Sequence, residues 1–255
     1  MRSRTALLGG LAVVLLVIGG AALAWVLFLQ GDNVAPLALP SSVPAAEATA
    51  PAGGSPAATA GGESLAPASA PIDAADIPGI WSIASDSVVG YRVRERLASL
   101  SADSDAIGRT NAVTGTATIA GSGTAMTVSD ANFSVDMTSL RSDRPMRDNR
   151  LRNDGIQTDQ FPTSTFKLGQ PITLPAGATT GAAVDVTLHG DLTLHGVTRT
   201  VDIPAKARLS GNLIEVAGSQ SFPFSDYQIN PPNIGGFVAV QDTGTLEFLI
   251  NLVKS

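Results

Sequence analysis

The sequence predicts an all-β domain of about eight antiparallel strands, preceded by one transmembrane helix and a disordered linker. Three observations lead to this prediction. Apolar and polar residues alternate over residues 184–194. About eight segments of this kind follow one another, separated by turn residues, over residues 79–255. Residues 6–29 form a run of 24 residues without a charge. A period of two residues is that of a strand with one dry face and one wet face.

The uncharged run at residues 6–29 has the length of a membrane span. About 20 apolar residues cross the hydrocarbon core of a bilayer, and Arg2 and Arg4 precede the run. By the positive-inside rule, residues 1–5 form a cytoplasmic tip and the C-terminal domain lies outside the cytoplasm. The alternative is a cleaved signal peptide, since residues 22–24 read A-L-A, but the run is longer than a usual cleavable core. The sequence therefore predicts a single-pass protein of the cell membrane.

Residues 30–78 have the composition of a disordered linker. They hold eight of the sixteen prolines and fifteen alanines, and they contain no lysine or arginine. Such a segment buries too little apolar surface to offset the entropy lost on ordering. As a flexible chain it would have a root-mean-square reach of about 35–40 Å. We therefore expect a tether between the span and the domain at residues 79–255.

The strand candidates of this domain share the period-two alternation. They are residues 81–93, 113–119, 126–137, 164–168, 184–194, 197–209, 213–224 and 237–252. Gly196 is expected at the hairpin turn between two of them, because glycine adopts positive φ without steric cost. Eight antiparallel strands can close into a barrel that holds side chains or one small ligand. A sandwich of two sheets fits the same alternation.

Composition and motifs argue against several classes of function. The net charge of −6 and the lack of a basic stripe argue against a nucleic-acid partner. No cysteine is present, so disulfides, thiolate metal sites and cysteine nucleophiles are excluded. The two histidines, His189 and His195, would lie roughly 20 Å apart on an extended strand, which is too far to share a metal ion. We expect His189 to be exposed and His195 to fix the hairpin, and we predict no metal site.

No catalytic residue is predicted, and the protein is not expected to be an enzyme. The sequence lacks a G-x-S-x-G nucleophile motif. The glycine-rich turn at residues 121–123 lacks the lysine and the helix of a phosphate-binding loop. Asp103 and Asp105 fall in a segment rich in Ser and Asp, which we expect to be a solvated loop.

Arginines alternate with aspartates over residues 141–154. The arginines are Arg141, Arg144, Arg147, Arg150 and Arg152. One interpretation is an anionic headgroup site at the barrel mouth formed by Arg141, Arg144 and Arg147, because guanidinium groups match phosphate geometry. The other is a cap of helix and loop held by local Arg–Asp pairs. The interleaved signs favour the cap.

Large apolar residues on the inward phase of the strands either line a pocket or fill a core. The candidate pocket residues are Trp81, Tyr91, Phe133, Val135, Phe166, Leu188, Tyr227 and Phe248. Each lies on the apolar phase of its strand or beside a motif. The alternation alone does not separate a ligand pocket from a filled core.

Several motifs, taken in their order and spacing, resemble the YceI-like family. They are Trp81, Arg147-Asp148, the F-P-x-x-x-F element at 161–166, LTLHGVTR at 192–199 and D-x-x-x-L-x-F at 242–248. The resemblance covers about residues 79–255 and implies an eight-stranded, antiparallel, lipocalin-like barrel with a short helical excursion and a long hydrophobic tunnel. The first strand of that family often carries His-Ser, where this chain has Asp86-Ser87.

The resemblance also implies a function. The domain would bind a long-chain apolar lipid, a polyisoprenoid or a related molecule, as a carrier or storage protein outside the cytoplasm. No cofactor is predicted beyond such an isoprenoid or quinone-like lipid, and the membrane would be contacted through residues 6–29. One alternative is a cell-surface interaction module with a filled barrel and no ligand. Another is an enzyme acting on an amphipathic substrate, which would require a polar cluster inside the cavity.

Protease added to intact cells is expected to release a soluble domain by cutting within residues 31–78, because the anchor holds only the N-terminus inside. Mass spectrometry of the released fragment checks the site of cleavage, and a cytoplasmic protein that stays intact serves as the control. A mature chain that begins after Ala24 or within the linker would contradict the anchor.

Overall fold

Antiparallel strands make up most of the regular structure. The computed structural model describes residues 34–40, 73–97, 103–123, 125–231, 233–234 and 238–255. Within these residues one sheet contains thirteen strands: β1 (Gly79–Ile83), β2 (Val88–Leu97), β3 (Asp103–Thr110), β4 (Val113–Ser122), β5 (Ala125–Asp136), β6 (Arg141–Ser142), β7 (Thr163–Leu168), β8 (Ile172–Thr173), β9 (Val184–Leu194), β10 (Val197–Ser210), β11 (Leu213–Pro223), β12 (Asn233–Ile234) and β13 (Val238–Lys254). The described helices are α1 (Pro145–Asn153) and three 3-10 turns, Ala74–Asp76, Met137–Ser139 and Phe224–Tyr227.

Eight of the strands close into a barrel. Their order around the ring is β1–β4–β5–β7–β9–β10–β11–β13, with every neighbouring pair antiparallel. β13 then pairs back with β1, where Trp81 lies opposite Lys254 and Ile83 lies opposite Leu252. A sandwich would instead have two separate sheets. The eight-stranded barrel with one short helix is therefore confirmed, and the sandwich is excluded.

The first predicted strand is in fact two strands. The chain breaks between β1 and β2, and β13 is long enough to pair with both. Ser87 is fully buried at the break, where its Oγ donates to the Asn251 carbonyl at 3.1 Å and accepts from the Asn251 N–H at 3.0 Å. The Asn251 side-chain amide donates to Asp86 at 2.8 Å. Asp86 and Ser87 thus fasten the break to β13.

The segment expected to be a solvated loop is strand β3. Asp103 and Asp105 lie on its outer face beside arginines of β2, with Arg96 3.1 Å from Asp103 and Arg92 3.1 Å from Asp105. Arg94 also pairs with Asp105, at 3.1 Å. Opposite charges that face each other across a strand pair support the sheet. The loop prediction is therefore wrong, because cross-strand ion pairs replace the apolar alternation that usually marks a strand.

β9 has the predicted register. Leu188, Leu192 and Leu194 face the barrel interior, and Asp191 is exposed on the outer face. Gly190 shares the inward face, where a Cβ atom would lie 2.3 Å from the main-chain oxygen of residue 167. Only glycine therefore fits at this point of the β7–β9 pair.

The β9–β10 hairpin turns through two residues with positive φ. The φ angles are 52° for His195 and 72° for Gly196. Two consecutive left-handed residues give the tight turn that matches the twist of paired strands. The predicted position of Gly196 is confirmed, and His195 adopts a conformation that is uncommon for a residue with a Cβ atom.

Residues 36–40 contact the outside of the barrel through Leu37. The Leu37 N–H donates to the carboxylate of Glu247 at 3.4 Å, and Glu247 is only 1 % exposed. That carboxylate also pairs with Arg109 at 2.9 Å and with Arg92 at 3.5 Å. Residues Pro36–Ser255 accordingly form one compact unit.

The predicted span at residues 6–29 and most of the predicted linker at 30–78 lie outside the described residues. Among the residues that are described, no helix has both the length and the apolar character needed to cross a membrane. The anchor and its tether therefore stay predictions.

Replacing Leu192 with Asp is expected to unfold the domain or to cost several kcal/mol, because an unpaired carboxylate would enter the apolar interior. The matched change Asp191→Leu, on the outer face of the same strand, is expected to leave stability nearly unchanged. Thermal unfolding of the purified full chain, followed by circular dichroism, measures both. Equal tolerance of the two changes would contradict the register.

Replacing Glu247 with Gln is expected to lower the free energy of unfolding by about 2–4 kcal/mol, since two arginines would lose a buried counter-charge. Asp202→Asn is the control, because the Asp202 side chain is 69 % exposed and exposed pairs contribute little. Denaturant unfolding of the full chain measures the two variants. Similar small losses in both would mean that the Glu247 cluster does not stabilise the outer wall.

Candidate functional site

The barrel encloses a cavity of about 290 Å³. Its wall is formed by inward side chains of β2, β4, β5, β7, β9, β10, β11 and β13, together with α1. Leu209 and Ile214 lie toward one end, and Glu95 and Val240 lie toward the other. The volume is close to the lower bound of about 300 Å³ for small-molecule pockets.

The side chains that point into the barrel do not fill it. Phe133, Phe166, Leu188, Val216 and Leu246 all line the cavity, yet each remains partly exposed. Inward residues of a filled core would be close-packed and fully buried. These partly exposed apolar side chains therefore border open space inside the ring, which favours a ligand pocket over a filled core.

Six of the eight predicted pocket residues line this cavity: Tyr91, Phe133, Val135, Phe166, Leu188 and Phe248. Trp81 and Tyr227 do not. Trp81 is fully buried and its indole N–H donates to the Ile77 carbonyl at 2.8 Å. Tyr227 is 1 % exposed and packs edge-on against Phe222, with ring centroids 5.1 Å apart. Both belong to the packed core around the cavity.

The three predicted headgroup arginines occupy different environments. Only Arg147 lines the cavity. Arg141 donates to the main-chain carbonyl of Thr138 at 2.9 Å, and Arg144 lies 3.5 Å from Asp143. The alternative of a cap held by local Arg–Asp pairs therefore describes Arg144, whereas Arg141 is held by main-chain carbonyls.

Glu95 and Arg147 form an ion pair at one end of the cavity. The two groups lie 2.7 Å apart, and Arg147 also contacts Asp143. Burial opposes the charge of Arg147, but the hydrogen bond that Arg147 donates to Glu95, together with the negative charge of Glu95, outweighs this and raises the pKa of Arg147 above its usual value. The pair joins β2 to α1 across a sequence separation of 52 residues.

Glu95 is a cavity residue that the sequence interpretation missed. It follows Val89, Tyr91 and Val93 on the inward phase of β2. A charged residue that follows inward-facing apolar residues on the same strand therefore indicates a polar group at the end of the cavity. The sequence pattern does not predict its partner Arg147 on α1, because that contact depends on how the helix packs against the barrel.

The hydroxyl of Tyr91 is buried beside this ion pair and has no hydrogen-bond partner among the described residues. Burial raises the pKa of Tyr91, so its hydroxyl remains a neutral donor. The ring lies over Gly108 of β3, where a Cβ atom would come within 2.3 Å of the tyrosine Cε1 atom. Gly108 therefore makes room for the ring.

Both histidines have structural partners. The Nδ1 atom of His189 lies 2.6 Å from Asp202 on the exterior. The ring nitrogens of His195 lie 2.9 Å from the Tyr227 carbonyl and 3.0 Å from the Gln157 side-chain oxygen. His195 therefore has the expected hydrogen-bonding role, and its bonds tie the hairpin turn to Gln157 and Tyr227, which lie outside the hairpin. The described residues contain no group of three or more side chains placed to hold a metal ion.

The fold and its cavity define a class of protein. The described residues form a closed eight-stranded antiparallel barrel with an apolar cavity and one short helix, and a barrel of this size has room inside for side chains or one small ligand. The model of the YceI-like domain matches residues 81–252. Since this is more than half of the sequence, the chain belongs to the YceI-like family.

One relative matches part of this chain. A UPF0312 protein of Vibrio parahaemolyticus is 39 % identical over 85 residues, which cover 33 % of this chain and 41 % of that protein. The chain thus matches about two-fifths of that relative's length.

Two proteins of solved structure share the fold. A polyisoprenoid binding domain from Saccharophagus degradans is similar with a TM-score of 0.50 and 17 % identity, over 70 % of this chain and 99 % of that one. Burkholderia cenocepacia BcnA is similar with a TM-score of 0.51 and 16 % identity, over 66 % of this chain and 98 % of that one.

Proposed function

We propose that the barrel binds one long-chain apolar lipid, a polyisoprenoid or a related molecule, and acts as a carrier or storage protein. The observation that supports this most strongly is the set of inward apolar side chains that border open space. The solved domain from Saccharophagus degradans, which shares the fold, is described as polyisoprenoid binding.

The hydrophobic effect is sufficient for such binding. Each buried methylene group contributes about 0.8 kcal/mol. A chain of roughly twenty carbons would contribute on the order of 10 kcal/mol before the costs of ordering are subtracted. The function therefore requires an apolar cavity lining of suitable shape. We assign it no catalytic residue.

We further propose that the barrel works outside the cytoplasm on a membrane anchor formed by residues 6–29. The support comes from the length of the uncharged run and from the two arginines before it. An anchored barrel stays near the bilayer from which an insoluble lipid must be drawn and to which it must return.

The rival function is a cell-surface interaction module with a filled barrel. The partly exposed inward side chains favour the lipid carrier instead. An enzyme acting on an amphipathic substrate would need reactive polar groups in the cavity. In the described lining the charged groups are Glu95, Arg147, Arg150 and Arg208, and each is engaged in an ion pair.

A Leu188→Trp substitution tests the cavity directly. Leu188 points into the open space, so the larger ring is expected to fit without ligand and to weaken isoprenoid binding at least tenfold by occupying the lipid's place. Thr187→Trp is the matched control, since Thr187 is the exposed neighbour on the same strand. The measurements are thermal unfolding of the delipidated full chain and titration with tritiated geranylgeraniol.

A filled barrel predicts the opposite result. Overpacking a core costs about 1–3 kcal/mol, which lowers the melting temperature by roughly 2–12 °C in a protein of this size. A clear loss of stability in Leu188→Trp, together with no lipid bound by the unmodified chain, would reject the carrier function. Mass spectrometry of lipid extracted from the purified chain then identifies the native ligand.

A further inference from the structure

Each charged group of the described cavity lining has a partner of opposite charge. Three arginines line the cavity, and each has a carboxylate partner: Arg147 has Glu95, Arg150 has Asp154 at 3.3 Å, and Arg208 has Glu215 within 2.8 Å. Glu95 is the carboxylate that itself belongs to the described lining. Glu95 and Arg147 are therefore an ion pair with both partners in the described lining, whereas Arg150 and Arg208 pair with carboxylates outside it.

This ion pair disfavours an anionic ligand. The Glu95 and Arg147 side chains are only 9 % and 16 % exposed. A phosphate group that engaged Arg147 would either displace Glu95, leaving a buried carboxylate unpaired, or lie beside it and be repelled. Asp143 and Asp148 are close enough to the same site to affect the titration of Tyr91, and both raise its pKa.

The same end of the cavity favours a neutral oxygen. Arginine carries five N–H donors, and its bonds to Glu95 and Asp143 use one hydrogen of each terminal nitrogen. The Tyr91 hydroxyl adds a buried donor that lacks a partner among the described residues. A ligand oxygen without charge could accept from these donors while the Glu95–Arg147 pair stays intact.

We infer that the polar end of the lipid lies at Glu95, Arg147 and Tyr91, and that this site selects uncharged isoprenoids over phosphorylated ones. The inference rests on the proposed lipid-binding function and specifies its ligand class. Glu95 provides the selection against anions by holding Arg147, and Tyr91 provides a hydrogen bond to an alcohol or carbonyl oxygen. Arg147 keeps the headgroup contact that its position in the sequence suggested, but for a neutral group.

Three twenty-carbon compounds with related branched chains separate these effects: geranylgeraniol, geranylgeranyl diphosphate and the hydrocarbon phytane. The immobilised, delipidated full chain is offered an equimolar mixture in detergent, and the bound compounds are eluted and quantified by mass spectrometry. Resin without protein, carried through the same steps, reports the lipid that is retained nonspecifically. The unmodified chain is expected to retain at least about ten times as much of the alcohol as of the diphosphate, which corresponds to a tenfold difference in affinity.

Two substitutions assign this preference to residues. Glu95→Gln removes the counter-charge of Arg147 and is expected to raise binding of the diphosphate about tenfold while changing that of the alcohol less than threefold. Tyr91→Phe is expected to lower binding of the alcohol about fivefold and to leave that of the hydrocarbon unchanged. Glu247→Gln is the matched control, because Glu247 is a buried, arginine-bound carboxylate on the outer wall.

The outcomes separate the two claims. If the unmodified chain retains none of the three compounds, the lipid-binding function itself fails. If it binds all three without preference, or prefers the diphosphate, the cavity function stands and the selection for neutral headgroups is overturned. The same conclusion follows if Glu95→Gln shifts the alcohol-to-diphosphate ratio no more than Glu247→Gln does, or if Tyr91→Phe leaves alcohol binding unchanged.

Discussion

The pairing of β1 with β13 is the constraint on which the rest of the structure depends. It closes the ring through a short register that begins at Trp81 opposite Lys254 and ends at Ile83 opposite Leu252. A sheet left open there would expose unpaired strand edges. Closure with eight strands fixes the width of the ring, so the inward side chains determine how much space remains. Trp81 is buried where β1 meets β13, and its indole N–H donates to the Ile77 carbonyl. The cavity lies farther along the barrel.

Closure also divides the polar groups into two sets. The outer wall carries dense charge networks, such as the one in which Glu247 binds Arg92 and Arg109 beneath the segment at residues 36–40. The cavity admits charge where each group is paired, because an isolated ion in an apolar interior is costly. The result is a barrel whose charged groups lie mainly on its outside and whose interior is mostly apolar.

Local patterns made most of the barrel predictable, and long-range contacts account for what they missed. The alternation in β9 predicted both its register and the inward position of Leu188, since the side-chain period of a strand depends on nothing distant. The sequence did not predict β3 as a strand, because its outer face carries Asp103 and Asp105, whose arginine partners lie on another strand. The contact of Leu37 with Glu247 spans 210 residues. No local pattern encodes such a contact.

The adjacent residues Arg147 and Asp148 connect the architecture of the barrel with the chemistry of its cavity. Neighbours on an α-helix point about 100° apart, so the two side chains of α1 reach different elements. Asp148 accepts from the N–H and the hydroxyl of Ser142 at 2.9 and 2.7 Å, which holds the helix against β6. Arg147 is thereby directed to Glu95 at the end of the cavity. Under the proposed function, the motif is structural and also sets the charge that a bound headgroup would meet, because the residue that positions the helix also positions Arg147.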